Sequence, residues 1–402
     1  VFHAARYTKS SVTDPARSAS KSMQIAIDYT PAIAQRAGIG RYARDLVAAL
    51  AQIDHANGYT LFSARDIDPG NPVTQDLPLA HNVQLRVTPL GERFLTRLWQ
   101  RAHIPLWAEA LTGPAQVFHS LDFTLPPTRM RRIVTIHDLA FLTHPECAVP
   151  ALASFLGKTV PRAARAADAI ITVSEHTRQT LLRWLPDLDP ARVVTIPLGV
   201  SAAFAPCGDL ARMQNLTERY QLQHPLVLAV GTLEPRKNYP NLIRAFAQAR
   251  RMQGGPQQLV LAGRRGWRYD PIFAAIEETG LREHVRIIET LDDADLVALY
   301  TLADVVAQVS HTEGFGLPVL EAMRCGTPVI ASDGGALPEV VGNAALIVPT
   351  MDGAMMAQAL HRAVTDDRVQ RTLIRRGHAR AAQFTWSATA ARTLQLYLRV
   401  AG

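Results

Sequence analysis

The chain has 402 residues, 48% of them hydrophobic and 19% charged, with 42 basic and 35 acidic side chains for a net charge of +7. That length holds two domains or more, each with its own core, and the composition excludes a disordered chain. A bilayer crossing, a disulfide scaffold and a zinc finger are excluded as well. The longest uncharged stretch, Val193–Gly208, is too short and too rich in proline and glycine, and Cys147, Cys207 and Cys325 are widely spaced without a CxxC pair.

Residues 1–22 are rich in Ser, Ala and basic residues and show no apolar period, so they read as a leader or tag outside the fold. From Met23 onward strands and helices alternate. Apolar runs at Gln24–Asp28, Ala115–His119, Ile133–His137, Ala169–Val173 and Val193–Pro197 predict buried strands, with helices at Arg41–Gln52 and Glu175–Trp184 among them. A second series begins at Leu226–Gly231 and continues through Leu259–Gly263, Val285–Ile288, Val305–Ser310, Pro328–Ser332 and Leu346–Pro349. Between the series, Leu198–Asp209 is rich in Gly, Ala and Pro and marks a domain boundary. Two doubly wound sheets in one chain form a cleft at their carboxyl ends, where such sheets bind ligands.

The first motif in chain order is Gly38-Ile-Gly-Arg-Tyr-Ala43, a formal GxGxxA. The polar stretch Tyr29–Ala37 separates it from its strand, whereas a dinucleotide fingerprint turns directly from strand into glycine. Gly38 and Gly40 therefore read as a close backbone approach to a ligand shared with the other domain. In Arg93–Arg101 arginines recur every four residues beside Phe94, Leu98 and Trp99. That is the pattern of a basic amphipathic helix on an anionic membrane, or of a surface helix packed on its own sheet. His137-Asp138 closes a strand, where a histidine can bond a sugar hydroxyl, move a proton, or serve structure alone. Ser174 reads as a helix cap.

In the second series, Gly231-Thr-Leu-Glu-Pro-Arg236-Lys237-Asn238 ends an apolar strand, with Asn238 placed to cap the helix near Pro240. Arg236 and Lys237 stand where a diphosphate would meet strand end and helix start; the alternative is a solvated pair. Lys237 is one of two lysines after Met23. The densest signal is His311-Thr-Glu-Gly-Phe-Gly-Leu-Pro-Val-Leu-Glu321, in which Pro318 opens a helix whose free N–H groups suit a phosphate. Glu313 before that helix and Glu321 one turn inside it can serve two parts of one elongated ligand, ribose hydroxyls at Glu321 and a polar group at Glu313. Otherwise they are a loop acid and a dipole-stabilising acid. Three DxD patterns, Asp66–Asp68, Asp187–Asp189 and Asp293–Asp295, fall in turns or at a helix start capped by Asp292, so no metal site is expected. The arginines are dispersed along the chain, which argues against nucleic acid.

Together these segments resemble glycosyltransferase family 4, of the GT-B fold, over nearly the whole chain after Met23. Glu313 to Glu321 fits that family's E-x7-E motif, Glu234–Asn238 its diphosphate segment, Gly38–Gly40 its glycine loop and His137 its donor-sugar histidine. The resemblance implies an α/β protein of two doubly wound Rossmann-like domains facing across a cleft. Residues 23–200 form the acceptor side, 201–383 bind the nucleotide sugar, and 384–402 form a terminal helix returning to the first domain. It further implies a cytoplasmic hexosyltransferase acting in polysaccharide biosynthesis, free or peripheral at the inner membrane face. Such an enzyme moves a sugar from a nucleoside diphosphate to a hydroxyl of a glycan or lipid-linked saccharide, with retention and without metal or other cofactor. The wording favours mannose from GDP-mannose; UDP- and ADP-sugars are the alternatives. Glu313 would position the sugar, Glu321 hold the ribose, His137 meet the sugar from the first domain, and Arg236 and Lys237 stabilise the departing diphosphate, with Phe315, Gly316 and Leu317 against the nucleotide. Gln308 departs from the family's apolar or aromatic residue and touches none of these roles. A non-catalytic sugar-nucleotide-binding protein, the alternative of another class, would be expected to have lost Glu313 or Lys237.

Overall fold

The computed structural model describes residues 22–35, 38–64, 80–102, 104 and 106–402. The leader reading, apart from Ser22, and the Asp66–Asp68 pattern lie outside the described residues. Two all-parallel sheets carry the fold. The first contains β1 (Gln24–Asp28), β2 (Gly58–Ser63), β3 (Val83–Val87), β4 (Val117–Ser120), β5 (Arg131–Ile136), β6 (Ala169–Thr172) and β7 (Val193–Thr195), in the order β3-β2-β1-β4-β5-β6-β7. The second contains β8 (Leu226–Val230), β9 (Gln258–Ala262), β10 (Val285–Ile288), β11 (Val305–Gln308), β12 (Val329–Ser332) and β13 (Leu346–Val348), in the order β10-β9-β8-β11-β12-β13.

The central strands are buried throughout, as a sheet covered by helices on both faces requires; Val305 in β11 pairs in register with Val227 in β8. The apolar-run reading misses β2 and β3. β3 is an edge strand that buries Val83 and exposes Gln84, Arg86 and Val87, so it presents alternation instead of a continuous apolar run. β2 begins at Gly58, directly after Asn57, and that turn signal hides a short buried strand.

In both sheets the strand order reverses beside the first strand, between β1 and β4 and between β8 and β11. Loops leaving these neighbours on opposite faces open a crevice at the carboxyl ends, the usual ligand position of an open parallel sheet. The chain crosses between domains twice, side by side. Val200 N–H donates to the Phe384 carbonyl (3.1 Å), and helix Trp386–Ala401, capped by Thr385, packs back on helix Ile39–Ile53.

Candidate functional site

At the second crevice, the β11 loop delivers Glu313 and the β8 loop delivers Arg236 and Lys237. Glu313 is 7% exposed and fully engaged. Its Oε1 accepts from Lys237 Nζ (2.7 Å), Ser310 Oγ (2.6 Å) and Gln308 Nε2 (2.7 Å), while Oε2 accepts from Arg236 Nη1 (2.6 Å). Burial alone would push this carboxyl up, but the Arg236 guanidinium and the Lys237 ammonium outweigh it and hold the group far below the ordinary carboxylate range. Arg236 also reaches Glu234 (2.7 Å). Although burial opposes its charge, Glu313 and Glu234 raise its pKa.

Gln308 therefore does touch a proposed role, against expectation: it binds the Glu313 carboxylate directly. Asn238 differs as well. It occupies the cap position of helix Tyr239–Arg250 in a left-handed conformation, but its side chain makes no cap bond. Instead Nδ2 donates to the Val309 (3.1 Å) and Thr350 (2.9 Å) carbonyls and pins the β8 loop against the ends of the neighbouring strands.

Helix Leu317–Arg324 starts after Gly316, which stands at φ 106° against Leu337, and Pro318 occupies its first turn. Glu321 lies in its buried interior. One carboxylate oxygen accepts from Arg41 Nη1 (2.5 Å) and the other from Tyr300 Oη (2.8 Å). Arg41 comes from the first domain and also pairs with Asp293 (2.8 Å). A ribose at Glu321 would share or displace these donors. Neither Arg41 nor Tyr300 was singled out from sequence; the only signal was the position of Arg41 between Gly40 and Tyr42.

The two glycines of the first domain serve different ends. Gly38, at φ 58°, has open space where a Cβ would sit and lines the cleft. At Gly40 a Cβ would lie 1.8 Å from the Gln35 carbonyl oxygen, so its close approach is to its own chain and not to a ligand. That corrects the reading of Gly40.

His137 sits across from Glu313. Its Nε2 donates to the Leu121 carbonyl (2.8 Å) and the ring meets the edge of Tyr42, which leaves Nδ1 as an acceptor. Burial lowers its pKa, so the ring is neutral near pH 7. Contact across the domains is tight here: a Cβ on Gly314 would lie 2.0 Å from the His137 carbonyl oxygen. A single cleft of about 620 Å³ is lined by Gly38, Arg41, His137, Arg236, Lys237, Glu313, Phe315, Gly316, Leu317 and Glu321 together.

Of the other patterns, Asp187 pairs with Arg165 (2.7 Å), Asp293 with Arg41 and Asp295 with Arg212, and Asp292 and Ser174 cap their helices as expected. Among the described residues no cluster of three His, Cys, Asp or Glu side chains is arranged to hold a metal ion. The three cysteines carry free thiols.

Family models match both halves: Glycosyltransferase Family 4 over residues 36–204 and Glycosyl transferases group 1 over residues 217–380. The chain is 30% identical over 365 residues to the O-antigen chain mannosyltransferase B of Escherichia coli, covering 90% of this chain and 95% of that one. Among solved structures, sucrose-phosphate synthase from Thermosynechococcus elongatus superposes with a TM-score of 0.73 at 24% identity, covering 94% of this chain and 99% of the other. HepE of Anabaena, in complex with UDP and glucose, gives 0.70 at 18% identity over 93% and 99%. These likenesses establish the GT-B arrangement of the two sheets.

Proposed function

The chain belongs to glycosyltransferase family 4, and from that premise we propose that it moves mannose from GDP-mannose to a hydroxyl of a glycan or lipid-linked saccharide, with retention and without a metal ion. One observation carries the reading: two cations, the half-buried Arg236 and the buried Lys237, converge with Glu313 at the carboxyl ends of β8 and β11, facing His137 across the cleft. The mannosyltransferase relative supports the choice of sugar.

As the C1–oxygen bond to the diphosphate breaks, the acceptor hydroxyl oxygen bonds C1 on the same face and gives up its proton to the departing phosphate, on which negative charge builds. Arg236, Lys237 and the N–H groups opening helix Leu317–Arg324 are fixed donors for that charge, the part a divalent cation plays in other transferases. Glu313 shares both cations and fixes them in place. His137, neutral, accepts from a sugar hydroxyl through Nδ1, and domain contact at Gly314 keeps water from the reacting carbon.

At the surface of the first domain, Phe94 (53% exposed) and the exposed Trp107 lie in a stretch that also carries Arg93, Arg97 and Arg101. These support peripheral contact with an anionic membrane. Trp99 does not belong to that face: it donates to the Leu106 carbonyl (2.9 Å) and packs near Phe62. Among the described residues no helix is long and apolar enough to cross a membrane.

The deciding experiment follows thermal shift and turnover with GDP-, UDP- and ADP-linked hexoses, with and without chelator. Stabilisation and turnover with GDP-mannose, unchanged by chelator, are expected. Preference for a UDP-sugar, the nucleotide held by HepE, would overturn the donor, and loss of turnover on chelation would overturn metal independence.

A further inference from the structure

The cleft continues past the transfer centre, and what lies there is not polar. Along the carboxyl edge of the second sheet the β9 loop stands beside the β8 loop, on the side away from β11. Glu313 binds Arg236, Arg236 binds Glu234, and Glu234 abuts Gly266 and so leads to Trp267.

The loop around Trp267 is tightly built. Leu233 N–H donates to the Arg264 carbonyl (2.8 Å) and Gly266 N–H to the Leu233 carbonyl (3.0 Å), so the β9 loop is zipped to the end of the β8 strand. A Cβ on Gly266 would lie 2.7 Å from the Thr232 methyl and 3.0 Å from the Leu233 carbonyl oxygen, so the two loops pack closely here. The indole N–H is committed as well: Nε1 donates to the Cys147 carbonyl of the first domain (2.9 Å). Next to it Arg268 donates to the Glu146 carbonyl (3.0 Å). With backbone and ring edge both fixed, the indole is half-buried in the cleft wall, and among the described residues no aromatic ring or guanidinium stacks on it. The first domain lines this end with Val149 and with Leu152, which is 48% exposed.

An aromatic face with a negative quadrupole, locked at its edge, suits the polarised C–H face of a sugar ring. We propose that Trp267 is the platform on which the acceptor saccharide stacks, with its hydroxyls directed toward Glu313 and His137. The inference rests on the reading of this cleft as a site of transfer to a glycan. With ribose at Glu321, the diphosphate at Arg236 and Lys237 and the donor sugar at Glu313, the stretch of the same cleft lined by Trp267, Val149 and Leu152 is left for the acceptor. A residue of the donor-side domain then selects the acceptor, and through its bond to Cys147 it does so only when the two domains meet.

The test uses saturation-transfer NMR with an α-linked mannotriose as probe, on the full chain and on W267A and W267F. Wild type and W267F should saturate the ring protons, and W267A should bind mannotriose about tenfold more weakly. GDP-induced thermal shift should be equal in all three, because Arg236 and Lys237 belong to the second domain and do not touch the indole, and that equality shows that the variants fold. Equal binding by W267A, or no saturation in wild type, overturns the platform. Loss in W267F as complete as in W267A also overturns it, because Trp267 would then act through its N–H bond alone. A wild type that binds mannotriose but responds to no sugar nucleotide keeps the platform and removes the donor reading instead.

Discussion

Glu313 concentrates the electrostatics of the site in one side chain. Its negative charge is balanced by Arg236 and Lys237, and two neutral donors, Ser310 and Gln308, join Lys237 at Oε1. Removing the charge while keeping the shape, in E313Q, leaves Lys237 buried without its counter-charge, while Arg236 retains Glu234. Stability should fall by about 3 kcal/mol, read as a lower urea midpoint. The reverse deletion, K237A, leaves Glu313 with Arg236, Ser310 and Gln308 and should cost only about 1 kcal/mol. Yet K237A should slow transfer by roughly 10²–10³ if Lys237 is the proposed donor to the leaving phosphate. Equal destabilisation by both variants would show that the cluster does not depend on Glu313 as its centre. Q308L tests the neutral part of the shell. It removes one donor from Oε1 and should lower kcat by about tenfold at most, with stability nearly unchanged.

His119 plays a comparable part at the level of the elements, without touching the cleft. It ties β4 to the C-terminal helix through Tyr397 Oη (2.7 Å) and to β5 through Thr135 Oγ1 (2.8 Å), and Thr135 in turn meets Tyr42 (3.1 Å). Burial pushes its imidazole down to about 3. The unfolded chain therefore takes up this proton first, near pH 6.5, and stability is lost as pH falls through that value and on toward 3. Between pH 7 and pH 5 wild type should lose about 2 kcal/mol more than H119Q, measured by urea unfolding at both values. Parallel losses would show that His119 is already protonated in the fold. How much of this was legible in the sequence depends on range. Glu313, Arg236, Lys237 and the start of helix Leu317–Arg324 were readable as neighbours in one cleft because each sits in a short motif at a strand end, where a local pattern is enough to place it. Helix Glu175–Trp184 was readable for the same local reason, its Ser174 cap. The partners of Glu321 were not: Arg41 lies 280 residues away in sequence and meets it only through the packing of two domains. Tyr397 beside His119, at a separation of 278 residues, is hidden likewise. Strand β3 escaped because an edge strand buries too little to show an apolar run.

Across the whole molecule, among the described residues, the two domains meet at a hinge and at three groups of polar contacts on the rim. At the hinge, Gly199 packs so closely on Trp386 that a Cβ would lie 2.2 Å from its backbone nitrogen, so both crossings move as one piece. On the rim, Arg41 binds Glu321 and Asp293, and Trp267 and Arg268 bind the carbonyls of Cys147 and Glu146. The third contact is a carboxylate on a helix start: Glu339 of the second domain accepts from the N–H groups of Glu175 (2.9 Å) and His176 (3.0 Å) of the first. These are the N–H groups that helix Glu175–Trp184 cannot satisfy internally, at its positive end. Glu339 is exposed, so the contact contributes at most about 1 kcal/mol to closure, a fivefold shift between joined and separated domains. It also lies on neither proposed nucleotide ligand. E339A should therefore leave GDP affinity unchanged in calorimetry, since Arg236 and Lys237, the proposed partners of the diphosphate, both belong to the second domain. The proposed transfer also uses His137 of the first domain, so kcat should fall by up to about fivefold, and the radius of gyration in solution scattering should rise. A fall in GDP affinity in step with kcat would mean that Glu339 shapes the nucleotide site itself, and that joining the domains is not a separate step of the reaction.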